Sequence, residues 1–490
     1  MARTMVNFTP ALNILIIFTV LSPLFSLASR RLKASFIIDA YSFAAFALSF
    51  IVAYFQAQTV FAGGVFRISL GPYSSAIYVD SLSSFLSLIF IAVGLLASLF
   101  SIGYIEERKP EFYPLLIALV TGMVGVVFAG DLFTFFIFWE MMSIASYLLV
   151  AFRYRSWEAV EASLKYLIIS AAGASAILFG MSLLYGLAGT LEISRLAEVL
   201  GTAAAAGEAW SYIAIVFLVT GFGVNAAMAP FHSWLPDAHP AAPSSISAML
   251  SGVVIKTGVY ALFRLILGVF PPALYDWSLG LAIFAVITMS VGNLLALMQE
   301  DIKRLLAFSS IAHIGYIVFG LSVANVAGVA GGLFHVLNHA VVKALLFLAA
   351  GVFIHAAATR SIDNLAGIGK KLPLASTCFA VGAFALAGIP GLNVFWSEFT
   401  IITAALSAGQ VYAVLAAIMV VNILVGVAYY VRLVQSIFLK NPSPPLEKLN
   451  PVGASMTAPL LVLAAAAILI GVYPTPFLDA AFLISNQITA

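Results

Sequence analysis

The chain has 490 residues, 63% of them hydrophobic and 9% charged, with a formal net charge of +2. That composition excludes a soluble globular protein and predicts a polytopic membrane protein, and a near-balanced charge without a basic run excludes nucleic-acid binding. One cysteine, Cys378, excludes an intrachain disulfide framework and a multi-cysteine cluster site.

Apolar runs of about 20 residues, the length that crosses ~30 Å of hydrocarbon, are the primary signal. They predict fourteen spans: 11–28, 35–56, 82–103, 113–129, 132–151, 163–187, 211–230, 243–268, 278–298, 304–324, 328–357, 374–403, 410–438 and 456–475. The N-terminal run is read as the first span and not as a signal peptide, because no small-residue cleavage site stands before Arg30 and Arg31. The longest connectors, 57–81 and 188–210, have room for short hairpins or surface helices but not for a soluble domain. Asp80, just ahead of the third span, is placed to cap its helix.

Connectors after odd-numbered spans carry fourteen Lys and Arg residues, from Arg30 to Lys448, against only Arg3, Arg67 and Arg195 on the other side. By the positive-inside rule both termini lie outside the cytoplasm, in a cell membrane. Two spans are broken by proline, the seventh at Pro230 and the twelfth near Pro390. They stand five spans apart, and an odd offset implies opposite orientation, hence inverted repeats. The expected division is an N-terminal set of three helices (1–103), a first five-helix repeat (113–268), a second (278–438), and a C-terminal helix and tail (456–490).

Four ionisable residues fall deep inside spans: Glu140, Lys256, Lys343 and Glu398. Glu140 lies nine residues past Asp131, and Lys256 thirteen past Pro243, so both reach mid-membrane at helical rise. Left unpaired, four such charges at ~3 kcal/mol each cost about 12 kcal/mol, as much as a whole domain's stability. They are therefore paired or hydrated. A buried pair can merely pin two helices, but these four accompany three histidines, His313, His335 and His339. Such a row of titratable groups is what a proton path requires. His335, His339 and Lys343 follow i, i+4, i+8 and share one helix face. HxxxH on a helix can ligate a metal, but no third ligand is evident and a lysine continues the stripe, so no metal is expected. Lys165, one turn after Glu161, fits snorkelling or function equally. His232, Asp237 and His239, in the connector after the broken seventh span, read first as capping or turn residues and second as an ion entry. The sequence has no phosphate-binding loop, catalytic triad or haem motif, so no cofactor is expected. Energy for transport must come from an ion gradient or from partner subunits.

PFHSWLPDAHPAAPSSISAMLSGVVIKTGVY, with FWEMMSIASYLLV, QEDIKRLLAFSSIAHIGYI and HVLNHAVVKALLFLAAG, resembles the antiporter-like family. Its members are the proton-pumping membrane subunits of respiratory complex I, Mrp-type sodium/proton antiporter subunits, and relatives in membrane-bound hydrogenases and ferredoxin-linked complexes. The match covers residues 80–440. The resemblance implies an all-α fold of fourteen helices, inverted five-helix repeats, broken seventh and twelfth helices, and a central hydrophilic axis. By motif, Glu140 matches the family's helix-five glutamate, and Lys256 its helix-eight lysine. His339 and Lys343 match its helix-eleven HxxxK, and Glu398 its helix-twelve charge. One position departs: the family's helix-seven lysine, five residues before the proline, is Asn225 here. The resemblance implies a proton-translocating, or sodium/proton-translocating, subunit working beside other membrane subunits in a lipid bilayer. Two alternatives stand beside it: a structural subunit with one half-channel inactive, favoured by Asn225, and a free-standing cation/proton antiporter.

Overall fold

The computed structural model describes residues 5–6, 9–68 and 77–489. Arg3 and residues 69–76 of the connector at 57–81 lie outside the described residues. Among the described residues twelve helices are long and apolar enough to cross a membrane, from Pro10–Leu32 to Ala454–Val472. They fall on twelve of the predicted spans. The other two are the proline-broken ones, where shorter apolar helices stand, Ala209–Asn225 and Pro373–Leu386.

The chain divides into two compact units. One comprises the chain up to Phe222 with Tyr260–Tyr275, and the other Gly223–Val259 with everything from Asp276 onward. In the first unit, helices begin at side-chain caps that satisfy their free amides. Asp80 accepts from Ser83 N at 3.0 Å and opens Ser81–Tyr104, as expected, and Asp131 accepts from Thr134 N at 2.8 Å. Arg264 grips both oxygens of Asp80 at 2.6 Å. Burial pushes the Asp80 carboxyl up, but the Arg264 charge and hydrogen bonds outweigh it and hold the group below its ordinary range. The connector at 57–81 carries a small antiparallel pair, Val65–Ile68 with Ile77–Val79, and the second long connector holds the helix Ile193–Leu200.

The second unit is built around Ile302–Ser322 and Val326–Ala357, whose apolar side chains are almost wholly buried. The helices Ser278–Leu297 and Ile302–Ser322 approach backbone to backbone. A Cβ on Gly292 would meet Ala312 N at 2.4 Å, and one on Gly315 would meet Met289 N at 2.5 Å. Such closeness brings main-chain dipoles of both helices near the polar groups they carry. The last segment, read from sequence as a tail, is helical over Thr475–Thr489. The Ser485 hydroxyl donates to Val326 O at 2.7 Å, fixing it at the start of Val326–Ala357.

At both breaks, backbone groups find partners within the protein, as hydrocarbon demands. After Asn225 the chain passes through Ala227 at φ 55°. There Val224 O accepts from Trp234 Nε1 at 2.9 Å, and Ala229 N donates to Thr288 Oγ1 at 3.1 Å. The connector expected after Pro230 is largely helical, Trp234–Ala241. At the second break, Asn393–Ser407 resumes the helix, and Asn393 O accepts from Asn338 Nδ2 at 2.9 Å.

Candidate ion-translocation site

The second unit places six of the sequence-predicted residues together: Lys256, His313, His335, His339, Lys343 and Glu398. Lys256 rides on a helical stretch whose register changes: Leu250–Val254 is π-helical and Ile255–Ala261 is α-helical. The wider π turn leaves main-chain carbonyls off their usual partners. Within this stretch Ser251 O accepts from Lys256 Nζ, which also meets His339 Nδ1. Both side chains are fully buried.

Val326–Ala357 presents His335, His339 and Lys343 at helical spacing, all fully buried. Their neighbours differ. His339 faces Lys256. His335 Nε2 meets His313 Nδ1 at 3.0 Å, and its Nδ1 meets Ser397 Oγ at 2.9 Å. The His339 and His313 rings lie 5.1 Å apart, centre to centre. Lys343 Nζ donates to Leu306 O at 3.0 Å and to Ser309 Oγ at 2.5 Å, and Ser309 is bonded to the Tyr430 hydroxyl.

Donor bookkeeping orients the imidazoles. Ser397 Oγ donates to Val394 O at 2.8 Å and accepts from Asn338 Nδ2 at 3.1 Å. Its single hydrogen is thus used, so the ring nitrogen beside it donates. His335 then carries its proton on Nδ1, and its Nε2 accepts from His313 Nδ1–H. The two histidines and the serine form one directed chain.

Glu398, at 3% exposure, follows Ser397 in the same helix, and its Oε1 has no hydrogen-bond partner among the described residues. Its Oε2 would lie 2.6 Å from a Cβ on Gly388, and Gly388 has φ +70°. The glycine is required twice, for its backbone conformation and for the space the carboxylate fills. His339 Nε2 is likewise buried without a partner.

His313, His335 and Glu398 set one ligand atom each within 4.8 Å of one another. The cluster is not the HxxxH pair with a third ligand added: it keeps His335, leaves out His339, and takes His313 and Glu398 from two other helices. Two imidazoles and a carboxylate suit a zinc-like ion. A metal there would have to break the His313–His335 hydrogen bond.

The remaining candidates stand in other surroundings. Asn225 Oδ1 accepts from Gly258 N and from Thr257 Oγ1, each at 3.0 Å. Glu140, in Leu132–Val150 of the first unit, is half-buried and its Oε1 has no hydrogen-bond partner among the described residues. Lys165 pairs with Glu161 at 2.8 Å, both side chains nearly half exposed, as a snorkelling lysine would. His239 is not a surface turn residue: it is fully buried, stacked on Phe347 at 4.4 Å, with neither ring nitrogen hydrogen-bonded. Its carbonyl and that of Ala242 accept from buried Lys303 Nζ at 3.2 and 2.7 Å.

Sequence reading missed the uncharged members, Ser397, Asn338, Asn393 and Ser309. A search for any polar side chain inside an apolar span, charged or not, finds them all.

A family model described as "NADH:quinone oxidoreductase/Mrp antiporter, TM" matches residues 129–424. F(420)H(2) dehydrogenase subunit N of Methanosarcina mazei is 34% identical over 427 residues, covering 85% of this chain and 86% of that protein. NADH-quinone oxidoreductase subunit N of Trichlorobacter lovleyi is 34% identical over 421 residues, covering 84% and 85%. Among solved structures, a chain of the membrane-bound sulfane sulfur reductase, an archaeal respiratory membrane complex, superposes with a TM-score of 0.88 at 30% identity, covering 98% of each chain.

Proposed function

The chain belongs to the NADH:quinone oxidoreductase/Mrp antiporter transmembrane family, and on that premise we propose that its second unit carries protons along Lys256, His339, His313, His335 and Glu398. The protein is a multi-pass, antiporter-like subunit of a multi-subunit membrane complex, as its relatives are.

The observation that carries the proposal is the directed run from His313 through His335 to Ser397, beside Glu398, with Lys256 on His339 at the other end. A proton arriving at His335 Nε2 lets the Nδ1 proton leave to Ser397 Oγ, which in turn must turn its own hydrogen away from Val394 O and release it, through water, to Glu398. The ring then holds its proton on the opposite nitrogen and must reset before the next transfer. Buried polar atoms without partners are costly, about 1–3 kcal/mol each. His339 Nε2 and Glu398 Oε1 are such atoms, and water at these two points would complete the run. Imidazole nitrogens and amines are poor ligands for sodium, a hard cation that prefers oxygen, so the chemistry favours protons.

Lys343, with Ser309 and Tyr430, is assigned to a branch of the same path, and Glu140 to the other half of the chain. Both termini outside the cytoplasm, fourteen crossings, and inverted repeats at 113–268 and 278–438 belong to this proposal, supported by the fourteen-to-three distribution of basic residues. A second reading, that the half containing Glu140 does not conduct, is favoured by Asn225, which lends no charge. The test is proton movement by the assembled complex in proteoliposomes. Glu398→Gln stops it and Glu398→Asp keeps part of it; a Gln variant that transports like the native complex overturns the proposal.

A further inference from the structure

Just past the change from π to α register, a backbone amide meets a side-chain acceptor from the broken seventh helix: Gly258 N donates to Asn225 Oδ1 at 3.0 Å, while Val254 O accepts from the neighbouring Thr257 hydroxyl at 2.7 Å. A backbone amide can only donate, so the side-chain atom facing it is the oxygen, and the amide orientation of Asn225 is fixed. Thr257 Oγ1 also lies 3.0 Å from that oxygen. Its one hydrogen is shared between Val254 O and Asn225 Oδ1, tying the two acceptors together.

The register change held in this way is the one that offers Ser251 O to Lys256 Nζ. Gly258 lies two residues beyond Lys256. All of these groups are buried, so no surface water replaces a lost acceptor.

We infer that Asn225 is a positioning residue for Lys256: as a hydrogen-bond acceptor it clamps Gly258 N–H, holds the π-to-α transition, and so keeps the lysine on Ser251 O and His339. The position therefore needs an acceptor and not a charge. A lysine there, all donor, removes the side-chain acceptor from Gly258 N–H and adds a cation beside the Lys256 helix. The inference rests on the proton path proposed above for its transport consequence, but the clamp itself does not.

The experiment uses the full complex with Asn225→Leu (same size, no acceptor), Asn225→Asp (acceptor kept) and Asn225→Lys (donor only). Hydrogen–deuterium exchange over residues 250–261 reads the clamp, and the pH profile of proton transport in proteoliposomes reads the placement of Lys256. Leu and Lys speed exchange in that segment about tenfold, the effect of one lost buried hydrogen bond. They lower transport about tenfold and displace its pH profile, while Asp stays within about threefold of native exchange. If Leu does not assemble, Asp and Lys still compare acceptor with donor at the same position. Native exchange in Leu or Lys overturns the clamp. Fast exchange with native rate and pH profile overturns the positioning role, and Lys transporting better than Asn shows the position serves charge. If the native complex moves no protons, the proposed function fails while the exchange data still decide the clamp.

Discussion

Replacing His335 by glutamine separates relay from packing. The imidazole makes two hydrogen bonds, to His313 at 3.0 Å and to Ser397 at 2.9 Å. A glutamine amide also has one acceptor and donors, and it can keep one of these bonds. The structural loss is then about one neutral hydrogen bond plus one strained partner, on the order of 1–3 kcal/mol, within the 5–15 kcal/mol of a typical domain. The subunit should assemble. An amide, however, does not take up a proton on one atom and release one from another near neutral pH, so the relay is cut. Loss of a positioned proton carrier costs about 10²-fold or more in rate. The assay is acidification or alkalinisation inside proteoliposomes holding the assembled complex, with subunit content checked on the same sample. His335→Gln transport within about twofold of native, at native subunit content, would refute the relay.

Gly388→Ala meets both the Glu398 carboxylate and an unfavourable left-handed backbone, so it costs about 1–2 kcal/mol and displaces the acid. Transport should fall while Gly391→Ala, whose added Cβ meets nothing within 4 Å, is milder for Glu398. Asp80→Asn leaves the part-buried Arg264 without its counter-charge and lowers stability by about 1–3 kcal/mol, read by the melting of the purified complex. The pH sign follows from the depressed Asp80 carboxyl. Its stabilisation is fully present above the ordinary carboxylate range near ~4 and is lost as pH falls below it. In Asp80→Asn that acid-labile increment is absent, and an unchanged acid melting profile would contradict the pairing. Ser309→Ala removes the hydroxyl between Lys343 and Tyr430 and should slow transport less than His335→Gln, which a rate comparison in the same vesicles checks.

Much of the fold was legible because a bilayer enforces it. Apolar length gave the positions of the spans, and proline marked both broken helices. The buried charges were legible for the same reason, since Lys256, Lys343 and Glu398 stand alone in apolar runs. What was not legible is who meets whom. His335 and His339 share a helix face, yet one turns to His313 and Ser397 and the other to Lys256. Helix spacing places side chains on a face but says nothing of the neighbour across it. The π turn before Lys256 was equally hidden, because no sequence pattern in LSGVV distinguishes it from an α turn. His239 was misplaced to a turn because proline on either side, at 236 and 240, reads as a loop, whereas the helix Trp234–Ala241 accommodates both.

The central claim, that protons cross through the buried run anchored by Lys256, is tested most directly by Lys256→Ala in the assembled, reconstituted complex. Proton movement into the vesicles is followed with a pH-sensitive dye, in sodium-free and sodium-containing buffer, with subunit content measured in parallel. The account predicts native assembly with transport nearly abolished in both buffers. Full transport by a correctly assembled Lys256→Ala complex would contradict it.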